Sequence, residues 1–565
     1  MGAFALPAAA QAQDFTVNTL TDAAANGCTT DPGGCTLRDA VTDANANTES
    51  DQITFASGLS GTVTLTQGPL AVGGSTGDAN PVTVQGPGPG VITVSGDADQ
   101  SGTHNAGDSQ IFNVNYVASA SFPTLNVSGL TLSGGYSTGT GGAIFLDENA
   151  KLSLSNATVT GNQAVQGGAI GGVFPKYSSV AIENSTISGN DAGSGGATFT
   201  DGPLTIRNST LSGNHASYGG GAISAGQKYG PLVITDSTIS GNTAANSGAG
   251  VAAYSVAIAK YHATTQNEIT RTTIAGNTAG GTAGGLYMDG LLGADSSFVV
   301  DHSTISDNDA GVGAQGGGIE IGDTIEGTFR TVDSTISGNS ANIGAGVAIS
   351  TTNTPQVTDG GSISFDNSTI AANTAATSGG GMYLGIYGPS GGGPYTYSAT
   401  IPLRSAVVGG NTANGGASDL DHADVATSGG FALAFSLVQA PGDGVLSQAN
   451  SILNTDPQLG GLGNNGGPTL TQLPAAASPL LDAGNNPLAL PSDQRGQPRT
   501  VDLSGPNSGD GTDIGAVERE APAPAPTPAP AKKVKCKKKH KKKHKRTADS
   551  SKKHKKCKKK KKKRR

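Results

Sequence analysis

One hexapeptide recurs along most of this chain and restricts its fold more than any other feature. It reads STISGN at Ser185–Asn190 and returns, with small changes, at intervals of 24 to 38 residues. Its closing asparagines are Asn162, Asn190, Asn214, Asn242, Asn277, Asn308, Asn339, Asn373 and Asn411. A self-similar period of this length is typical of repeat architectures, in which each unit packs against its neighbours.

Each repeat contains three strand-sized pieces. A glycine-rich turn such as 195–197 precedes a short strand, an alternating strand such as PLTIR (203–207) follows, and the hexamer ends the unit. None of the pieces has the 3.6-residue period of a helix. Glycines and Gly-Asn pairs supply the positive-φ corners that a chain needs when it turns every few residues. The pattern predicts one coil of an all-β solenoid per repeat.

Two columns of residues follow from stacking the hexamers. The aliphatic residue of each hexamer is predicted to point inward, where burial contributes about 1.5–3 kcal/mol per side chain. The closing asparagines are predicted to form a structural ladder, in which each amide bonds the coils about 4.8 Å above and below. The inward aliphatic residues are Ile187, Leu211, Ile239, Ile274, Ile305, Ile336 and Ile370.

Composition agrees with a solenoid and argues against a large globular core. The 565 residues include 87 glycines and no tryptophan, and only 4% are aromatic. A solenoid needs only small aliphatic residues and glycine corners. No stretch reaches the ~20 apolar residues of a membrane-spanning helix.

Charge is divided very unevenly along the chain. Residues 532–565 contain 23 of the 35 Lys and Arg but only one of the 42 acids, so the rest of the chain carries 12 bases and 41 acids. This disordered tail follows a Pro/Ala linker (521–531) and is predicted to bind anionic cell-wall polymers or lipid head groups. Binding to nucleic acid is opposed by the acidic body, and folding back onto that body is the third alternative. The residues assigned to polyanion binding are Lys532, Lys533, Lys537, Lys538, Lys541, Lys542, Lys558, Lys559, Arg564 and Arg565.

The repeats resemble those of known right-handed parallel β-helix proteins. The GGA(I/L/V) turns and closing asparagines between about 120 and 420 are similar to the repeats of polymorphic outer-membrane adhesins. The resemblance implies a right-handed parallel β-helix over residues 56–450, with N- and C-terminal caps. It implies no single activity, because β-helices occur in lyases, hydrolases, adhesins and passive fibres.

The N-terminal region carries a second resemblance. Residues 1–12 read as a truncated signal peptide that ends in an A-x-A site. The run from Cys35 to Ala40 (CTLRDA) resembles the CSLREA motif of extracellular bacterial β-helix proteins, which implies an N-terminal cap over 13–55. In a secreted chain Cys28 and Cys35 are predicted to form a disulfide. Two free thiols or a metal pair are the alternatives.

The C-terminal region changes pattern and resembles choice-of-anchor Q proteins. The matching runs include Asp456-Pro457, NGGPT (465–469), DAG (482–484) and DIGA (513–516). The resemblance implies a C-terminal cap over 451–520, followed by a surface anchor.

Two groups of residues are candidates for chemistry. The position before each hexamer carries Asp236, Arg271, His302 and Asp333 in four consecutive coils, as an acid/base patch or as a surface charge ladder. Asp502, Asp510 and Asp513 on a glycine-rich loop are a weak calcium candidate, with solvated turn caps as the alternative. No other cofactor is predicted.

Five long insertions interrupt the repeats, at 251–268, 286–300, 351–362, 384–400 and 417–432, and several of them carry or adjoin tyrosines. Tyrosine on an exposed loop suits stacking on sugar rings, and packing against the wall of the solenoid is the alternative. The tyrosines concerned are Tyr254, Tyr261, Tyr287, Tyr383, Tyr387, Tyr395 and Tyr397.

Together these features predict a secreted protein at a bacterial cell surface. We expect an adhesin or structural surface protein that contacts glycans or neighbouring surfaces through the β-helix and is retained by its polycationic tail. The alternative is a polysaccharide lyase or glycoside hydrolase of the pectin-lyase-like type. An enzyme is not favoured, because of the polygalacturonase motifs only an NTD run appears, at 454–456 in the predicted cap.

Overall fold

Every regular coil passes through four sheets in turn. Ser179–Glu183 lies in sheet A, Thr186–Ser188 in sheet B, Asp191–Ser194 in sheet D and Thr198–Thr200 in sheet C, after which Leu204–Arg207 returns to sheet A. Each strand pairs in parallel with the equivalent strand of the next coil. The predicted parallel β-helix is therefore confirmed.

This architecture is that of a computed structural model. It describes residues 13–28, 34–46, 49–73, 81–115, 123–172, 178–226, 230–254, 266–291, 295–351, 362–386, 400–414, 419–422, 429–442, 444–503 and 507–520. The predicted signal segment, the Pro/Ala linker and the Lys-rich tail, with all ten residues assigned to polyanion binding, lie outside the described residues. No helix in the described ranges is long and apolar enough to cross a membrane.

The strands are distributed unequally among the four sheets. Sheet A contains Asp14–Val17, Asp51–Phe55, Val82–Gln85, Thr124–Ser128, Lys151–Ser155, Ser179–Glu183, Leu204–Arg207, Leu232–Thr235, Gln266–Thr270, Ser297–Asp301, Thr328–Val332, Ser362–Asp366, Thr400–Arg404, Gly430–Ala434 and Val445–Ala449. Sheet B contains Gly61–Thr64, Ile92–Ser95, Thr131–Ser133, Thr158–Thr160, Thr186–Ser188, Thr210–Ser212, Thr238–Ser240, Thr273–Ala275, Thr304–Ser306, Thr335–Ser337, Thr369–Ala371, Val407–Gly409, Leu437–Val438 and Ile452–Leu453. Sheet C contains Leu70–Val72, Phe112–Val114, Ile144–Leu146, Ile170–Gly172, Thr198–Thr200, Ile223–Gly226, Val251–Tyr254, Leu286–Leu291, Ile319–Ile325, Val347–Thr351, Met382–Ile386 and Leu420–His422. Sheet D contains Gln163–Gln166, Asp191–Ser194, His215–Gly219, Thr243–Ala244, Thr278–Ala279, Asp309–Ala310, Ser340–Ile343, Thr374–Ser378 and Thr412–Ala413.

The regular coils contain four strands, so the prediction of three was wrong. The missed strands form sheet D and follow the closing asparagine directly. They are only two to five residues long, and each contains alanine, as in Asp191–Ser194 (DAGS). Alanine has low β-propensity, and the neighbouring coils supply the pairing of these short strands.

The predicted inward aliphatic column is confirmed. The central residues of the sheet B strands, from Ile187 to Ile370, are fully buried and belong to one continuous core. The core is narrow and long because each coil adds only a few side chains to it.

A ladder of asparagine amides runs beside this core. From Asn162 to Asn411, each Nδ2 donates to Oδ1 of the next asparagine at 2.9–3.0 Å. The backbone N–H of each asparagine donates to the same Oδ1 at 2.9–3.1 Å. Gly135 donates to the first Oδ1, and Asp419 accepts from the last amide at 2.9 Å. Every amide therefore has partners, although the column is excluded from water.

The corner between sheets A and B has a left-handed backbone in coil after coil. We call its residues the corner column; they are Asn156, Asn184, Asn208, Asp236, Arg271, His302, Asp333, Asn367 and Ser405, with φ between 41° and 52°. Asn and Asp tolerate this conformation better than other non-glycine residues do. Backbone geometry thus accounts for much of the polar composition of this column.

A short helix lies at the N-terminal end of the β-helix. Helix α1, Leu37–Ala44, begins with a capping box between Thr36 and Asp39, the two positions at which this chain departs from the CSLREA motif. The buried face of α1 joins the main core. Just before it, Cys28 and Cys35 are joined by a disulfide, with their Cα atoms 4.5 Å apart.

The C-terminal segment follows the last described strand, which ends at Leu453. Residues 456–503 and 507–519 lie along the flank of the β-helix, against corner residues His302, Asp333, Asn367 and Ser405. Leu480 and Ile514 pack against Val407 and Leu437 of sheet B. Hydrogen bonds join the segment to His302, Ser303, Thr335, Thr369 and Ser405. We call residues 456–519 the flank segment.

Replacing one interior ladder residue is expected to destabilise the protein strongly. In Asn277→Ala, the side-chain and backbone amides of Asn242 lose their acceptor and Oδ1 of Asn308 loses a donor. Each buried group left unpaired costs about 1–3 kcal/mol. Urea unfolding of the full chain should show a loss of at least about 2 kcal/mol. The exposed neighbour Thr278→Ala is the control, and equal unfolding of the two variants would contradict a stabilising ladder.

Candidate functional site

The first half of the predicted acid/base column is an exposed ion pair. Arg271 donates to both carboxylate oxygens of Asp236 at 2.6 Å each. The hydrogen bonds from Arg271 lower the pKa of Asp236. This carboxylate is therefore a poor proton carrier near neutral pH.

The second half of that column is covered by the flank segment. His302 Nδ1 lies 2.6 Å from Oδ1 of Asp301, and its Nε2 lies 3.8 Å from Oδ2 of Asp333. Asp333 is fully buried and forms an ion pair with Arg499 of the flank segment. The structure therefore does not bring Asp236, Arg271, His302 and Asp333 together as one open patch, because Asp333 takes part in docking the flank segment.

The predicted calcium candidate is also occupied by protein contacts. Asp513 is buried and accepts backbone N–H groups from Asp482 and Arg519, while Asp510 accepts from Asn486 and Thr512. Burial raises the pKa of Asp513 to about 6. These carboxylates fix turns of the flank segment, and with Asp502 they do not form a shared set of metal ligands among the described residues.

A different acidic group does converge. One carboxylate oxygen each from Asp97, Asp99 and Asp108 lie within 4.8 Å of one another. Among the described residues this is the group whose geometry could hold a metal ion. The signal that sequence reasoning missed is the spacing D-x-D-x-S-G-x-x-N-x-x-D over 97–108, which places oxygen side chains at positions 1, 3, 5, 9 and 12 of a calcium-type loop.

The tyrosines that the structure describes lie on strands, whereas the sequence predicts them on loops. Tyr254, Tyr287 and Tyr383 belong to three strands of sheet C. Tyr261, Tyr387, Tyr395 and Tyr397 lie outside the described residues. Each of the five predicted insertions overlaps a strand of sheet C and includes the residues between that strand and the next strand of sheet A.

Two outward rows of sheet C bring polar and aromatic side chains together. Tyr287 pairs with Glu320 on the next strand, and Tyr254 pairs with Asp289. Ser350 lies one strand further along and donates its hydroxyl to Oε1 of Glu320 at 2.7 Å. We call these five residues the sheet C patch. Their neighbours along each strand point into the core, as strand alternation requires.

Glu320 is the unusual member of the patch. Its side chain faces outward, yet the residue is only 6% exposed. Among the described residues, its Oε2 has no hydrogen-bond partner. Burial raises the pKa of Glu320 to about 7, against the opposing effect of the Ser350 hydroxyl. A buried carboxyl group with a free oxygen and a pKa near neutrality suits proton donation to a bound molecule.

The two tyrosines form an aromatic wall beside this carboxyl group. Their ring centroids are 5.9 Å apart, and the planes meet at 71°. A Cβ atom added to Gly322, on the neighbouring strand, would lie 3.8 Å from the Tyr287 ring. The ring therefore packs over this glycine. Burial and the nearby Asp289 carboxylate raise the pKa of Tyr287. Both tyrosines are only partly buried, so part of each side chain remains exposed beside Glu320.

The patch combines a flat apolar surface with hydrogen-bonding groups and carries no positive charge. None of the described residues in the two outward rows of sheet C is Lys or Arg. A sugar ring has an apolar face, which can stack on a tyrosine ring, and a rim of hydroxyl groups, which can hydrogen-bond to carboxylates.

The likeness of this chain to known proteins is weak. No protein-family model matches the sequence, and no curated protein matches it. A solved structure of "a mannuronic acid specific polysaccharide family 6 lyase enzyme from human gut microbiota" is similar at 13% identity and a TM-score of 0.36, over 74% of this chain and 86% of that chain. At this sequence identity and TM-score, the similarity supports no conclusion about the site.

The raised pKa of Glu320 predicts a loss of stability as the pH increases. Glu320 has a pKa of about 7 in the folded state and 4.5 as a free side chain. Its protonated form therefore supports the folded state fully below about pH 4.5, and this contribution to the free energy of unfolding is lost as the pH rises through about 7. The full effect is about 3 kcal/mol. Urea unfolding from pH 5 to 8 should therefore show a steeper decline in the native chain than in Glu320→Gln.

Exposed Glu183→Gln is the control for that comparison, because the same chemical change is made on the surface of sheet A. Parallel pH profiles for the native chain and Glu320→Gln would show that Glu320 has an ordinary pKa in the folded state.

Proposed function

We propose that this protein is a secreted, surface-associated β-helix that binds neutral glycans through the sheet C patch and is retained at the cell surface by its basic tail. The observation that carries the proposal is the patch itself, in which a buried carboxyl group with one oxygen unpartnered among the described residues lies beside two partly exposed tyrosines. In this role the β-helix is a rigid adhesive scaffold.

The charge of the protein supports neutral rather than acidic glycans. The patch carries two carboxylate side chains, and the body carries 41 acids against 12 bases outside residues 532–565. A polyuronate would be repelled both by the patch and by the surrounding field. Polysaccharide lyases that act on uronates need positive charge beside the substrate carboxylate, so the lyase alternative is disfavoured for this patch.

Several features support secretion and surface attachment. Residues 1–12 end in an A-x-A site, and the Cys28–Cys35 disulfide suits an oxidising compartment. The resemblance of residues 451–520 to choice-of-anchor Q proteins assigns the following tail to the anchoring role. A polycation of 23 Lys and Arg would bind anionic wall polymers or lipid head groups at about 1 kcal/mol per residue near the surface.

Removal of one aromatic ring should weaken glycan binding. We expect Tyr287→Ala and Tyr254→Ala to reduce affinity for neutral glycans about tenfold each, equivalent to ~1.4 kcal/mol. Affinity electrophoresis of the full chain through gels containing laminarin, mannan, xylan or soluble chitin oligosaccharides, at 0.5 M NaCl to suppress the tail, gives the measurement.

Leu446→Ala is the control, since Leu446 is an exposed apolar residue on sheet A, away from the patch. Equal retention of both tyrosine variants and the native chain would place glycan binding elsewhere. Absence of retention on every neutral glycan would overturn the proposed function.

The tail should account for binding to anionic surfaces. The full chain is expected to sediment with phosphatidylglycerol vesicles at 50 mM NaCl and to be released at 1 M NaCl, because the contacts are electrostatic. A chain ending at Glu520 should remain in solution under both conditions. Sedimentation of the shortened chain would show that the acidic body, rather than the tail, provides the attachment.

A further inference from the structure

We propose that the sheet C patch hydrolyses the glycans it binds, with Glu320 as the acid and Asp289 as the base. The inference rests on the proposed glycan binding and goes further by assigning a reaction to the same side chains. Its basis is the arrangement of two carboxyl groups of contrasting environment on one outward face, beside an aromatic surface that fits a sugar ring.

The register of sheet C sets the separation of the two groups. Asp289 pairs with Gly322, which lies two residues beyond Glu320 on the neighbouring strand. Strands are about 4.8 Å apart and rise about 3.3 Å per residue, so the two Cα atoms are about 8 Å apart. Both side chains point outward on the same face, so the two carboxyl groups can face the same bound glycan, as an acid and a base of glycoside hydrolysis must.

The environments of the two groups assign their roles. Glu320 is almost fully buried, and its Oε2 has no hydrogen-bond partner within the described part of the chain, so its neutral form is favoured. Asp289 is only half-buried and lies close to the Tyr287 hydroxyl, whose hydrogen bond stabilises a carboxylate. Neutral acid and charged base are the states that glycoside hydrolysis requires at its start.

The step balances with water as the only co-reactant. Oε2 of Glu320 donates its proton to the glycosidic oxygen while the bond between that oxygen and the anomeric carbon breaks. Asp289 accepts a proton from a water molecule whose oxygen bonds the anomeric carbon. The products are two shorter glycans, one with a new reducing end, and the proton on Asp289 returns to Glu320 through solvent. Ser350 acts as a positioning residue, since its hydroxyl fixes Oε1 of Glu320.

The same face argues against elimination chemistry on uronic acids. Elimination requires a base at C5 and positive charge to neutralise the sugar carboxylate, whereas the described residues of both outward rows include no Lys or Arg. The substrate class is therefore a neutral or amino-sugar glycan. Absorbance at 235 nm, which reports the unsaturated product of elimination, separates the two reactions.

The test measures binding and cleavage on the same samples. The full chain is incubated with laminarin, mannan, xylan, chitin oligosaccharides and, as the uronate arm, polygalacturonate and alginate. New reducing ends, absorbance at 235 nm and retention in affinity gels are recorded for the native chain, Glu320→Gln, Asp289→Asn and the surface control Glu183→Gln. We expect reducing ends without absorbance at 235 nm on a neutral or amino-sugar glycan, reduced at least about 100-fold in Glu320→Gln and Asp289→Asn, with both cleavage and retention unchanged in Glu183→Gln.

The pH profile adds a readout that a structural role would not change. The groups that face Glu320 include Tyr254, Tyr287, Asp289 and the hydroxyls of Ser350 and Thr282, and neither the tyrosines nor the hydroxyls titrate near neutrality. Because Glu320 must be protonated and its pKa is about 7, the cleavage rate should fall tenfold per pH unit above that value. Ser350→Ala should shift this decline in cleavage rate to higher pH, because the substitution removes a hydrogen bond that stabilises the charged form of Glu320.

Each remaining outcome overturns a specific statement. Retention without any cleavage would overturn hydrolysis and leave glycan binding intact. Cleavage that persists in Glu320→Gln and Asp289→Asn would place the reaction at another site. Absorbance at 235 nm would replace hydrolysis with elimination, and loss of retention on all glycans would overturn the proposed function as well.

Discussion

The stacked asparagine amides are the interaction on which the rest of this structure depends. A chain with 87 glycines and 4% aromatic residues has little side-chain volume to bury, so apolar packing alone specifies the register of its coils weakly. Each ladder amide, in contrast, bonds both neighbouring coils at fixed distances. A coil displaced by one residue would leave several buried donors and acceptors unpaired, at about 1–3 kcal/mol each. The ladder therefore sets the position of every other column, including those that face outward.

The sheet C patch shows what this register makes available. Coils between Asn242 and Asn373 differ in length by several residues, yet Tyr287 lies opposite Glu320 and Tyr254 opposite Asp289. The extra residues are placed between sheets C and A, where they do not shift the strands. The asparagine ladder that orders the coils is thus separate from the outward face of sheet C. The sequence of either can change without the other.

Much of the fold could be predicted because its signals are local and repeated, whereas much of the site could not. Ile187 and its equivalents recur in a recognisable hexamer, so their inward direction followed from alternation. Tyrosine is rare in this chain, so Tyr287 was a candidate from the sequence. Glu320 follows it by 33 residues, beyond an insertion, and only the strand pairing shows that the two residues are neighbours. The corner column was recognisable in sequence, but the burial of Asp333 depends on Arg499, 166 residues away, and no local pattern carries that information. The strands of sheet D were missed because alanine and glycine pair well only when the neighbouring coils are already in place.

The flank segment has a consequence for how the molecule unfolds. In a simple solenoid each coil touches only its neighbours, so the chain can fray coil by coil from either end, and its stability is close to a sum of nearest-neighbour terms. Here one segment bonds to five coils between His302 and Leu437, with partners separated by up to 191 residues in sequence. Those coils cannot open singly without releasing the segment from the others. The C-terminal half of the β-helix is thereby converted from a row of independent repeats into one cooperative unit, while the coils before it keep the graded behaviour of a one-dimensional chain.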